Sequence, residues 1–184
     1  MRPRQAMAVP QLLLLRDGRT VRCVASDSEV VAAFVTLHLA SVRMRELGVP
    51  HWADDEYPLS GLGALRDRGE LVGGFEGGRL CATMQVLTTD PEFWHDAGPR
   101  EAAYIHKLAV APDVAGTGWP DLLLDWAALF ALGQRRPHLR LDTVPGPLVA
   151  FYEQRGFRSL GAWPCERIGR PVVRMQAGRD RPAT

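Results

Sequence analysis

The part of this 184-residue chain best suited to chemistry lies between Lys107 and Asp121. The apolar run Leu108-Ala109-Val110 leads into Ala111-Pro112, then the loop Gly116-Thr117-Gly118, then a strongly apolar stretch from Pro120 to Leu132. Read as strand, loop and helix, this order suits an anion. Backbone N–H groups point outward at a helix start, and the helix dipole adds positive potential there. Glycines let a phosphate come close to the main chain, so a pyrophosphate is the natural ligand. Taken alone, a short Gly-x-Gly loop serves equally well as a structural turn.

The elements that must position this loop are legible from patterning. Leu12 to Leu15 is a buried-strand candidate, ended by the turn signal Asp17-Gly18, with Thr20 to Val24 returning beside it. Ser26 or Asp27 can cap a helix over Glu29 to Leu47, in which Val30, Phe34, Leu37 and Val42 recur near helical spacing. Gly48-Val49-Pro50 stops it. A shorter helix is expected around Leu59 to Arg68. Leu71 to Phe75 and Leu80 to Leu87 flank Gly77-Gly78 as a hairpin. Asp90 to Arg100 reads as a loop with Phe93 and Trp94 as packing anchors. Ala103 to Val110 is the strand before the glycine loop, and Gly133 is the expected cap of the following helix. A strand over His138 to Val144, a short helix over Pro147 to Arg155, and strands over Phe157 to Leu160 and Val172 to Gln176 complete the order. This is a mixed α/β single domain. Residues 11–178 are expected to form it, with 1–10 as a flexible leader and 179–184 as a flexible tail.

Composition narrows the function. A formal net charge of +1 gives no strong pull toward nucleic acid or a membrane surface. Cys23, Cys81 and Cys165 are odd in number and widely spaced, which argues against a zinc site or a disulfide framework. A reducing, cytoplasmic setting is the expected one. The apolar run Leu12 to Leu15 is too short for a signal segment or a membrane span.

About thirty residues after the glycine loop stands Phe151-Tyr152-Glu153-Gln154-Arg155-Gly156-Phe157. Together with the strand-Pro-loop-GxG-helix unit, this segment resembles the GNAT superfamily of acyl-CoA-dependent N-acyltransferases. In that family a strand similar to Leu108-Ala109-Val110 precedes a loop of the form Arg/Gln-x-x-Gly-x-Gly, and a segment like Phe151 to Phe157 follows. The hairpin around Gly77-Gly78 sits where the family has its second and third strands. The resemblance covers roughly residues 21–160. It implies a GNAT-like mixed sheet flanked by helices, with acetyl-CoA or another acyl-CoA as cosubstrate and no metal. It also implies a small-molecule or peptide amine as acceptor, and it allows a homodimer.

The resemblance implies site residues as well. Leu108, Ala109 and Val110 would offer backbone groups to the pantetheine arm and thioester, and Gly116, Thr117, Gly118 and Trp119 would hold the pyrophosphate. Tyr152 matches the family's acid, which protonates the leaving thiolate. The base stays open. The position of the family's glutamate is Tyr104 here, and Glu101, His106 and Asp142 are nearby candidates. His106 alternates with Tyr104 along one strand face, and a histidine titrates in the useful range. A hydrogen-bonded structural histidine is the other reading. The segment His51-Trp52-Ala53-Asp54-Asp55-Glu56-Tyr57 is expected to line the acceptor, attracting a cationic amine by charge and cation–π contact, or else to be a solvated acidic loop.

The chain departs from the family pattern at four places. Ala115 replaces the loop's Arg/Gln, Pro120 its last glycine, Asp121 a small or basic residue, and Pro145 an asparagine before the tyrosine. Pro120 removes one N–H, and Asp121 would oppose a bound phosphate. These changes predict a weakened pyrophosphate site. They also keep open a second reading, a GNAT-fold protein that has lost acyl-CoA chemistry and binds a partner or runs another reaction.

Overall fold

The computed structural model describes residues 14–49, 52, 56–165 and 169–178. The leader, the tail, Leu12, Leu13, His51, Ala53, Asp54 and Asp55 lie outside the described residues. Eight strands form one sheet: β1 (Leu14–Arg16), β2 (Arg19–Cys23), β3 (Leu71–Glu76), β4 (Arg79–Leu87), β5 (Ala102–Val110), β6 (His138–Thr143), β7 (Arg158–Trp163) and β8 (Val172–Gly178). Their order across the sheet is β1-β2-β3-β4-β5-β6-β8-β7. Each neighbouring pair is antiparallel except β5 and β6, which run parallel and so need a crossover helix. That helix is α3 (Trp119–Gly133). The others are α1 (Asp27–Glu46), α2 (Leu59–Asp67) and α4 (Pro147–Glu153).

Local chemistry explains the boundaries. Ser26 accepts the Glu29 N–H and caps α1, while Glu29 reaches back to the Ala25 N–H. Gly77 and Gly78 both take positive φ (57° and 82°), as the tight turn between β3 and β4 demands. One expected cap differs. Gly133 stays helical and Gln134 caps α3, with the left-handed turn falling on Arg135 (φ 55°).

α3 lies on one face of the sheet. Its Trp119, Leu123, Trp126 and Ala127 pack fully buried against Ala103, Ile105, Leu139 and Leu141. α1 and α2 cover the other face through Val30, Ala33, Leu37 and Leu62. A third cluster, Phe93, Trp94, Ala102, Tyr104 and Val172, sits beside them on the helix-α1 side. Phe93 and Trp94 therefore anchor the 88–101 loop as patterning suggested. The Trp119 indole needs a strand with no side chain beneath it. A Cβ on Gly74 would lie 2.6 Å from its ring. Gly74→Ala is expected to destabilise the protein by about 1–3 kcal/mol through overpacking, read as a lower denaturant midpoint. An unchanged midpoint would show that the indole can shift freely.

Candidate active site

β5 carries the feature that makes a site. Its pairing with β6 runs from Ala102↔His138 to Ile105↔Leu141 and then stops, although β5 continues to Val110. On its other edge, β5 stays paired with β4 out to Ala82↔Val110, but with one extra residue between His106 and Ala109. Lys107 absorbs the extra residue with φ 52°, a left-handed conformation that is uncommon outside glycine. The bulge bends β5 away from β6 and opens a cleft. Among the described residues, β6 pairs with no part of β5 beyond Ile105, so the β6-facing edge of 106–110 is open for another molecule.

The bulge also resets the alternation of side chains. Ala103 and Ile105 face α3, and Tyr104 and His106 face the other way. Past the bulge it is Leu108 and Val110 that pack on the α3 side. Consecutive His106 and Lys107 both line one cavity, which a regular strand would not permit. That cavity, about 260 Å³, is lined by Trp52 and Glu56, Asp90, Glu92 and Phe93 of the 88–101 loop, and Asp142 and Thr143 of β6, among others.

His106 is held at both ring nitrogens. Nε2 lies 2.9 Å from Asp90 Oδ2, and Nδ1 lies 3.6 Å from Asp142 Oδ1. Burial would lower the imidazole pKa, but the Asp90 hydrogen bond and the charges of Asp142 and Asp90 outweigh it, so the net direction is up. Burial pushes the Asp142 carboxyl up to about 6, against the opposing charge of His106. Asp142 Oδ1 is buried and accepts no hydrogen bond from the described residues. Asp90 is fixed in turn, its Oδ1 accepting the Phe93 N–H. Asp90, His106 and Asp142 each offer one ligand atom, all within 4.8 Å of one another, a spacing that could also hold a metal ion.

Tyr152 sits on α4. Gly156 (φ 83°) ends that helix and lets the Phe157 N–H return to the Tyr152 carbonyl. Phe151 and Phe157 then close edge-on around the phenol ring at 5.1 and 5.7 Å. Burial raises the phenol's pKa, and the nearby Asp142 charge raises it further, so the group stays protonated at any working pH. Asp142 thus lies within electrostatic reach of both His106 and Tyr152.

Other expected site residues fall elsewhere. Glu101 lies outside the cavity, pinned by Arg140 Nη2 at 2.5 Å and by the Gly98 N–H. Tyr57 is core rather than wall, packed against Trp52 and Phe34, whereas Trp52 and Glu56 do line the cavity. Trp119 is wholly buried, its indole packed over Gly74 in the core. Asp121 does not stand alone, since Arg155 Nε meets it at 2.8 Å. The glycine loop keeps the expected shape, with Gly116 and Gly118 at φ 79° and 86° and Gly118 opening α3. At the first turn of α3, Trp119 and Asp121 present N–H groups that have no helical partner by position.

Two residues escaped the sequence reading. Asp90 lay in what read as a plain loop, and only an Asp-Pro turn signal marked it. Arg19 places a guanidinium beside the glycine loop, where Ala115 has none, and pairs with Glu76 at 3.3 Å. Its Nη1 donates to the Thr117 carbonyl at 2.6 Å and its guanidinium lies 5.1 Å from the Trp119 ring centre. No pattern links β2 to the glycine loop, so only the fold could reveal it.

No family model matches the chain. It is 29% identical over 134 residues to an uncharacterised N-acetyltransferase, YesJ, of Bacillus subtilis, covering 65% of this chain and 71% of that one. Among solved structures, an acetyltransferase of the GNAT family from Listeria monocytogenes superimposes with a TM-score of 0.74 at 18% identity, over 91% of this chain and all of that one. The PaiA N-acetyltransferase of Thermoplasma acidophilum, solved with coenzyme A, gives 0.69 at 13% identity, over 88% and 99%. These structural likenesses show a shared fold.

Proposed function

We propose, from the premise that this chain belongs to the GNAT superfamily, that it transfers an acetyl group from acetyl-CoA directly to a primary amine. The observation that carries this reading is the open edge of β5 past the Lys107 bulge. It lies between the glycine loop on one side and the His106 cavity on the other. An acyl-CoA laid in the cleft would place its pantetheine arm along Leu108–Val110 and its pyrophosphate at the Gly116–Trp119 turn. Its thioester would then fall near His106, Asp142 and Tyr152. The CoA-bound neighbour supports the same cosubstrate.

The protons follow from the residues. The acceptor enters as an ammonium ion and gives its first proton to His106, which Asp90 orients and Asp142 holds electrostatically. The amine lone pair attacks the thioester carbonyl, and β5 backbone N–H groups stabilise the oxygen as charge develops on it. The carbon–sulfur bond then breaks. Tyr152 gives its proton to the departing thiolate, and the amine's second proton restores the phenol. The products are an amide and free CoA. Three free cysteines support residence in a reducing cytoplasm.

The test mixes the full chain with acetyl-CoA and a panel of primary amines and follows free thiol release, alongside calorimetry with acetyl-CoA at millimolar concentration. Binding with amine-dependent thiol release is expected. No heat and no thiol would overturn the reading in favour of a GNAT fold without acyl-CoA chemistry. A charge test of the loop accompanies it. Asp121→Ala is expected to tighten acetyl-CoA binding by roughly 1 kcal/mol or less, because an exposed ion pair leaves only part of the Asp121 charge to remove. Arg155→Ala should weaken binding by unmasking that charge. Both effects should shrink at high salt. Identical affinities in the two variants would show that no phosphate sits at this helix start.

A further inference from the structure

Resting on the acyltransfer reading, we propose that Arg174 is a positioning residue for the general base, docking the 88–101 loop so that Asp90 stays against His106. Arg174 stands on β8 and is only 5% exposed. Its Nη1 donates to Asp96, whose carboxylate oxygens lie 3.0 and 3.3 Å away. Its Nε and Nη2 are buried and find no acceptor among the described residues. A buried cation left half-paired costs stability, and an apolar side chain would fill the same place at lower cost. What the guanidinium does there is stack on rings. Its centre lies 3.7 Å from the Trp163 ring centre and 4.8 Å from that of Trp94.

Trp94 links this cation to the site. Its indole N–H is buried and also finds no acceptor among the described residues, so packing and not a hydrogen bond places the ring. Its backbone N–H donates to the Asp90 carbonyl at 2.8 Å, and the neighbouring Phe93 N–H donates to Asp90 Oδ1 at 3.3 Å. One turn therefore carries both the docked indole and the carboxylate that meets His106 Nε2 at 2.9 Å. A shift of Trp94 is a shift of Asp90. Two other arginines tie the same loop, and their hydrogen bonds explain them. Arg136 Nη1 closes its ends by donating to the Thr88 and Ala102 carbonyls. Arg140 also lies over Trp94, at 4.6 Å, but Gln176 and Glu101 both accept from it. Arg174 differs because its pairing does not account for its burial, whereas its hold on Trp94 and Asp96 does.

The experiment removes the cation and asks whether the loss passes through Asp90. Arg174→Met keeps an unbranched side chain beside the two rings, where sulfur packs well. It leaves no buried charge behind, because Asp96 is more than half exposed. Wild type and variant are assayed with acetyl-CoA and n-butylamine. The kcat/KM for the amine is expected to fall by about 10- to 100-fold, the effect of displacing a reacting group's partner by about 1 Å. The acetyl-CoA dissociation constant should not change. In an Asp90→Ala background the same substitution should have no further effect, since the loop then has no carboxylate to aim. An undiminished kcat/KM in Arg174→Met, or a loss that multiplies with that of Asp90→Ala, overturns the proposal. If Arg174→Met does not fold, Asp96→Ala releases the same tie from its exposed side. A severalfold loss that vanishes in the Asp90→Ala background is then expected, and no loss overturns the proposal. Absence of acetyl-CoA binding by the wild type instead overturns the reading beneath it. In that case, or if n-butylamine is not acetylated, hydrogen exchange decides. The Phe93 and Trp94 amides must exchange faster in Asp96→Ala than in wild type, and equal rates overturn the proposal.

Discussion

Replacing His106 with glutamine is expected to lower kcat/KM for amine acetylation by on the order of 10²- to 10⁴-fold, the usual contribution of a positioned general base. Affinity for acetyl-CoA should be unchanged, because His106 faces the acceptor cavity and not the glycine loop. The pH profile separates this role from a structural one. A base works when deprotonated, so wild-type kcat/KM should rise with pH along a limb placed above the ordinary histidine value, since the Asp90 and Asp142 contacts favour the imidazolium. Asp142→Asn removes one of those charges and should move the limb to lower pH. The acceptor's own ionisation is common to all variants and cancels in the comparison. A stability readout follows from the same groups with a definite sign. His106 and Asp142 both have raised pKa values in the fold. Their contribution to stability is therefore present at low pH and is lost as pH rises through the folded values. Relative to Asp142→Asn, the wild type should lose stability between pH 4 and about 6, where the Asp142 carboxyl ionises. A limb that does not move in Asp142→Asn would assign the base to another group.

Tyr152→Phe is expected to reduce kcat by on the order of 10²-fold or more, the contribution of a positioned acid, with the acetyl-CoA dissociation constant unchanged. The phenol acts on a charge that exists mainly in the transition state, so its loss falls on turnover rather than on binding. Its raised pKa removes the alternative of a tyrosinate base. The ring itself is retained in the variant, and the Phe151 and Phe157 edges that hold it are preserved, so the fold should be intact by melting temperature. Thioesters with better leaving groups should narrow the gap between wild type and variant, because a more acidic thiol needs less protonation. An equal loss with every leaving group would show that Tyr152 positions the cleft without donating a proton.

The site shows where each kind of information came from. The sequence by itself determined the glycine loop, the Phe151–Phe157 segment, the Gly77-Gly78 hairpin and most elements, because each rests on local rules. Glycines meet positive φ, caps satisfy orphan N–H groups, and apolar periods of two or near 3.6 mark the buried faces. In the folded β6, Leu139 and Leu141 pack on the α3 side while Asp142 lines the cavity on the other face. The tertiary structure decided three things that local rules do not reach. The bulge at Lys107 turned two consecutive side chains into one cavity, since a single extra residue reverses a period-two pattern and the demand for it comes from pairing with β4. Asp90, sixteen residues before His106, became its partner because Phe93 and Trp94 dock the loop against β5. Charge at the glycine loop was decided the same way. Arg155 answers Asp121 across 34 positions and Arg19 reaches Thr117 across 98. Coulomb and hydrogen-bond energies depend on distance in space, and only the closed sheet brings those positions together.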